Sequence, residues 1–219
     1  MMAFPRSRCP PERPLPTLSF PGDRQAFKLL NIDSITIQEI DAELKASATT
    51  LIFGLKRRVT CRRRAPQSCS AWPLVLTPFT TQVTGHFGAE DNPGIDGDPR
   101  IHIVNADPGT LCDNAYACGL LGYFSASDTV PAHYEPNSNE REMFVTNGQE
   151  FGTVGYLDTL SHEFRHMVED HYDSGDIDWA VEGSATLSQD LSGFSEDPIS
   201  RANLFLLNTD QQAKQLAGR

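Results

Sequence analysis

The segment Ser161-His162-Glu163-Phe164-Arg165-His166 sets two imidazoles four positions apart, with a carboxylate directly after the first. On a helix, positions i and i+4 lie one turn apart on the same face. Two imidazoles so placed can ligate one Zn2+ at about 2.0–2.1 Å each. Glu163 then reaches the open side of the metal, where it can take a proton from the zinc-bound water and pass it to a leaving amine. The competing reading is a polar, solvated helix face. Against it stands an apolar stripe beside the histidines, made by Leu157, Leu160, Phe164, Met167, Val168 and Tyr172. Such a stripe packs the helix on a body and presents His162, Glu163 and His166 to a cleft. Fifteen residues separate His166 from Glu182, in Asp178-Trp179-Ala180-Val181-Glu182-Gly183-Ser184-Ala185. A carboxylate there completes a three-ligand site with one position left for water, the arrangement of a catalytic zinc.

These residues require two helices side by side. The pattern predicts the first over Tyr156 to about Tyr172 and the second over Asp178 to about Ser192. The turn-rich Asp173-Ser174-Gly175-Asp176 lets the chain reverse, and Gly183, Ser184 and Ala185 are small enough for close approach. A third helix is predicted over Asp197–Leu207, with Asp197-Pro198 as N-cap and first position. Alternating or clustered β-formers predict strands over Gln25–Ile32, Ser34–Leu44 and Thr49–Phe53, with turns at Asn31–Ser34 and Lys45–Ala48. Two more follow over Arg100–Asn105, with Ile101 and Ile103 on one face, and Glu142–Asn147. Leu55–Thr81 carries neither period. The first 21 residues hold six prolines, which predicts a disordered arm; no apolar stretch of signal-peptide length follows its basic residues. The expected organisation is an arm over 1–21, an antiparallel β segment over 22–53, an anomalous basic stretch over 54–81 and the main domain over 82–219, α+β in class.

Charge divides along the same lines. The net charge of −11 conceals a segment from Glu90 to Arg219 with 23 acidic and 6 basic residues. Leu44–Ala89 contains no Asp or Glu, and Lys56, Arg57, Arg58, Arg62, Arg63 and Arg64 sit in its middle. A globally acidic chain argues against nucleic-acid partners, and the arginine run has no aromatic neighbours to support such a patch. No apolar run reaches the roughly 18 residues of a membrane span.

HExxH followed by W-x-x-E-G-x-A resembles the gluzincin metallopeptidases. The surrounding text is closest to their bacterial hyicolysin-like and immune-inhibitor-A-like neutral zinc peptidases. Asp96-Gly97-Asp98-Pro99-Arg100-Ile101-His102-Ile103 resembles the first strand of those protease domains. Gly122-Tyr123-Phe124-Ser125-Ala126-Ser127-Asp128 and Asn137-Ser138-Asn139-Glu140-Arg141-Glu142-Met143-Phe144 also resemble that branch, and Gly22 onward resembles the β-rich segment preceding it. The resemblance implies a zincin-like fold, with His162, His166 and Glu182 as ligands of one catalytic Zn2+ and Glu163 as general base. It implies hydrolysis of internal peptide bonds of a protein or peptide substrate, and a secreted or cell-surface location. Oligomeric state is not legible.

Two departures stand out. Gluzincins supply a Tyr or His beyond the third ligand to steady the oxyanion, and this chain has neither after Glu182. Losing such a donor typically costs about 10²–10³ in rate; Tyr123, Tyr134 and Tyr156 are the upstream substitutes. The relatives also continue into further helices past the position of Arg219, so the resemblance implies a truncated domain and, as the rival function, an inactive fragment that still binds zinc.

Smaller signals are more ambiguous. Cys112 and Cys118 can close a small disulfide loop in an oxidising compartment, and two free thiols fit equally well. Asp91, Asp96 and Asp98 have the chemistry of a Ca2+ site, though turn chemistry explains them with fewer assumptions. Asp170 and Asp178 are candidates to orient ligands from outside the metal shell, with surface capping as the simpler role. His171 falls off the ligand face.

Read from the third base of each codon, Phe53–Arg58 can encode an acidic stretch, and Ala71–Gln82 an amphipathic helix leading into Val83. The expectation is therefore that 54–81 is translated out of frame. Resequencing genomic DNA across codons 50–85 should reveal compensating insertions or deletions relative to close homologues; an uninterrupted frame without them overturns the expectation.

Overall fold

The computed structural model describes residues 20–47, 51–55, 72–194 and 207. It is α+β, with a single mixed sheet among the described residues. The strands are β1 (Arg24–Asn31), β2 (Thr36–Ser47), β3 (Leu51–Leu55), β4 (Ile101–Ala106), β5 (Gly122–Phe124) and β6 (Met143–Asn147), and the helices are α1 (Trp72–Phe87), α2 (Pro108–Leu111), α3 (Val154–Asp173) and α4 (Asp178–Leu191). Spatial order is β1-β2-β3-β4-β6-β5. The β1–β2 and β2–β3 pairs are antiparallel, β3–β4 and β4–β6 parallel, and β5 closes one edge antiparallel to β6. The N-terminal β segment is thus continuous with the sheet that carries the main domain.

All six residues of β4 are buried, as a central strand covered on both faces requires. Ile101 and Ile103 pack with Phe144 against α1 and α3, in a core containing Val83, Tyr156, Leu157, Leu160, Phe164, Met167 and Val168. Val104 and Ala106 face the other way, into a core with Phe27, Leu29, Ile40 and Val145. The predicted stripe on the HExxH helix is this packed face, with one correction. Tyr172 is 62% exposed and belongs to neither core; it lies one turn past the point where α3 leaves the sheet.

Leu55–Thr81 was expected to lack a period, yet its last ten residues form the first part of α1. Pro78 and several β-branched residues mask a helix here, and its helicity rests on packing: Val83 is fully buried against α3. The helix predicted over Asp197–Leu207 lies outside the described residues except Leu207, and residues 1–19 and 56–71 also lie outside them. Cys112 and Cys118 form a disulfide, which resolves the alternative left open by the sequence. No described helix is long and apolar enough to cross a membrane.

Loops cover the second face of the sheet. Asp128 is buried there and accepts from the Asn139 backbone N–H at 2.9 Å and its side-chain amide at 2.7 Å. Burial pushes its carboxyl up to about 6 despite those two donors. A raised carboxyl favours the protonated folded state, so this residue's contribution is fully present below about pH 4 and is lost as pH rises through about 6. Urea denaturation should therefore show that Asp128→Asn removes a pH-dependent loss of roughly 3 kcal/mol between pH 4 and 7. Leu160, with no exposed surface, provides a core control: Leu160→Ala should cost about 2–5 kcal/mol at every pH.

Candidate metal centre

α3 starts from Thr153, whose hydroxyl accepts from the Tyr156 N–H at 3.0 Å as an N-cap. The helix lies on the sheet through its buried stripe, which leaves His162 and His166 half-buried along one flank. α4 returns antiparallel beside it, and polar groups fix the pairing. The Ser161 hydroxyl donates to the Ser188 carbonyl at 3.1 Å, and the Ser188 hydroxyl donates to the Ser161 carbonyl at 2.9 Å, both fully buried. Nearer the site, the Ser184 hydroxyl donates to Glu169 at 2.9 Å, and Glu169 also pairs with Arg165 at 3.1 Å. The Arg165 guanidinium stacks over Phe87 of α1 at 4.6 Å from the ring centre, tying three helices together.

Among the small residues expected to permit close approach, Ala185 is buried and Ser184 bonds across the interface, but Gly183 is exposed and a β-carbon there would meet nothing within 4 Å. Ser188, one helical turn past Ser184, supplies the next contact across the interface.

This pairing brings the three predicted ligands together. His162 Nε2 and His166 Nε2 stand 3.0 Å apart; Glu182 Oε2 is 3.3 Å from the first, and Glu182 Oε1 is 3.6 Å from the second. All three ligand atoms lie within 4.8 Å of one another, and among the described residues this is the one such group of three or more that can hold a metal ion. The geometry can be tested against a real ion. Donors 2.0–2.1 Å from a tetrahedral centre stand roughly 3.3–3.4 Å from each other, so the three separations bracket the required value. The protonation state agrees as well. Burial, and then the neighbouring His162, push the His166 imidazole down to about 4, so it is neutral and able to ligate.

Glu163 flanks the histidines on α3, close enough to Glu182 to feel its charge. It is buried, and its Oε2 accepts from the Phe124 N–H of β5 at 2.8 Å. Burial, reinforced by the charge of Glu182 and opposed by the Phe124 N–H, raises its carboxyl to about 8; a cation at the centre acts in the opposite direction. β5 is not evident in the sequence as a strand, but Gly122 is the signal. A β-carbon there would meet Thr159 Cγ2 at 2.8 Å and the Val145 carbonyl oxygen at 2.9 Å. Glycine thus lets the edge strand lie tight against α3 and deliver its N–H to Glu163.

Other sequence candidates are placed elsewhere. The Tyr123 hydroxyl accepts from Leu30 N–H on the opposite face of the sheet, Tyr156 is buried beside Thr146 and Asn105, and Tyr134 is exposed next to His133. None reaches the metal centre. The aspartates considered for Ca2+ are otherwise engaged: Asp98 pairs with Arg100 at 2.5 Å, and Asp96 is buried 3.7 Å from Arg141, while Asp91 is exposed. Asp170 lines a cavity beside His166, and Asp178 lies in the exposed first turn of α4, where its charge suits the helix dipole. In comparisons with known proteins, no family model matches the chain and no curated protein matches it.

The purified chain should bind one Zn2+, measured by metal analysis after dialysis. His166→Ala and Glu182→Ala should each weaken binding by more than the roughly 10–100-fold that loss of an outer partner costs. Ser188→Ala, distant from the ion, should lower stability by about 0.5–1.5 kcal/mol in urea denaturation, because it removes a buried hydrogen bond between α4 and α3.

Proposed function

We propose that the chain is a zincin-like, gluzincin-type zinc endopeptidase. The observation that carries this reading is the convergence of His162, His166 and Glu182 at separations fitting one tetrahedral ion, with the Glu163 carboxylate on the adjoining turn. Zinc bound there would polarise a peptide carbonyl and make a water acidic enough to attack it near neutral pH.

The remaining roles fall to the chain. Glu163 is the proton carrier: its carboxylate accepts a proton from the attacking water and delivers it to the departing amine nitrogen. Its Oε2 is held by the Phe124 N–H, which fixes the carboxylate for that role. Glu182 is 64% exposed, so among the described residues the site is open on the α4 side. β5 forms the sheet edge next to Glu163, and an extended peptide laid along it would pass in front of the carboxylate by the same main-chain pairing that adds a strand to a sheet.

A second reading has its own support. Among the described residues, none of the tyrosines considered for the oxyanion reaches the site. That favours a domain which binds zinc and turns over slowly or not at all. The two readings separate in one experiment, casein hydrolysis by the zinc-loaded chain with Glu163→Gln as control. The peptidase reading expects hydrolysis that falls by about 10²–10⁴ in the variant at unchanged zinc content. One bound zinc with no Glu163-dependent hydrolysis selects the second reading.

A further inference from the structure

A cavity of about 320 Å³ opens directly off the metal centre, sharing His166 and Glu182 with it. That volume is at the lower end for ligand pockets and suits one side chain better than an extended ligand. Its walls combine two chemistries. Phe124 and Val181 supply apolar surface, and Glu169, Asp170 and Asp173 supply carboxylates from successive turns of α3. Among the described residues no Lys or Arg lines it.

The charges do not cancel internally. Glu169 is neutralised by Arg165 at 3.1 Å. A divalent ion is balanced by Glu182 and Glu163. Asp170 and Asp173 are left over: Asp173 accepts only from the Gly175 backbone N–H, and half-buried Asp170 makes no hydrogen bond among the described residues. Cations from elsewhere in the domain are also committed. In the described part of the acidic segment the basic residues are Arg100, Arg141 and Arg165, with side chains 18%, 2% and 12% exposed, each placed against carboxylates of the protein itself.

We infer that this cavity is a specificity pocket for a Lys or Arg side chain next to the scissile bond, so that the substrates are cationic peptides. The aliphatic stem packs on Phe124 and Val181, and the charged head reaches Asp170 and Asp173, the division such side chains adopt at apolar surfaces with a polar end. Charge-assisted hydrogen bonds to two carboxylates then select Lys and Arg over Leu or Glu. The inference rests on the peptidase reading, yet pocket and reaction can be tested apart.

Binding is measured by calorimetry on the zinc-loaded Glu163→Gln chain, using end-blocked tripeptides Ala-X-Ala with X as Lys, Arg, Leu or Glu. The Lys and Arg peptides should bind on the order of tenfold more tightly than the Leu peptide, and the Glu peptide most weakly. Adding Asp170→Asn and Asp173→Asn should bring Lys and Leu to parity at one zinc per chain. Asp173→Asn alone, which keeps the oxygen that accepts from Gly175, should remove part of the preference and serves if the double variant does not fold. Parity in the parent, or a Lys preference that survives the Asn substitutions, overturns the inference. Lys preference lost on substitution, in a chain that hydrolyses no peptide, upholds the pocket and sinks the peptidase reading. Hydrolysis without any such preference does the reverse.

Discussion

Everything at the metal centre depends on how α4 is registered against α3. Two of the three ligands come from consecutive turns of one helix and are positioned by its geometry alone. The third is brought back by a reversal of chain, and an error of one residue in register would rotate Glu182 by about 100° around its helix. The reciprocal hydroxyl-to-carbonyl bonds of Ser161 and Ser188 define that register at one end, and the Ser184–Glu169–Arg165 group defines it at the other. A purely apolar interface would permit sliding, because hydrophobic burial is non-directional. Hydrogen bonds between buried groups are directional, and these are made across the interface only in this register.

The sheet supports this arrangement from beneath. α3 has one face in the core and one flank at the site, so its stripe has to be narrow enough to leave His162 and His166 partly accessible while Phe164, between them in sequence, is buried. The same constraint explains β5. A three-residue edge strand contributes little to the core, but through Gly122 it approaches α3 closely enough for its Phe124 N–H to hold Glu163. The candidate ligands and the carboxylate beside them are therefore supported by different parts of the fold, the former by α4 and the latter by the sheet edge.

Much of the site was legible in the sequence because its signals are local. Spacing of four places two histidines on one helical face, and alternation identifies β4 through Ile101 and Ile103. His162, His166 and Glu182, nominated by the motif spacing, come together in a group that could hold a metal ion. What escaped notice was of two kinds. α1 has weak local signals, with Pro78 inside it, and becomes a helix because Val83 packs on α3. The role of β5, and the engagement of Asp96 and Asp98 by arginines, depend on partners 39 or more residues away, or on a competition that composition alone does not settle. The tyrosines failed for a related reason: residue type nominated them, and strand pairing turned Tyr123 to the far face of the sheet.

The acidity of the chain acquires a more definite meaning in this light. Net charge speaks to solubility and association, not to fold, and by itself −17 over the segment from Glu90 onward would describe a solvated surface. The disposition of the cations changes that. Among the described residues of that segment, Arg100, Arg141 and Arg165 are each drawn inward to stabilise a carboxylate that folding buries or half-buries, so they neutralise the interior and not the surface. Potential is focused where low-dielectric walls adjoin uncompensated charge. That condition is met at the cavity beside His166, where Phe124 and Val181 supply the walls and Asp170 and Asp173 the charge. The same ion pairs that hold the fold together thus determine where its surplus negative charge is felt, and that place adjoins the metal centre.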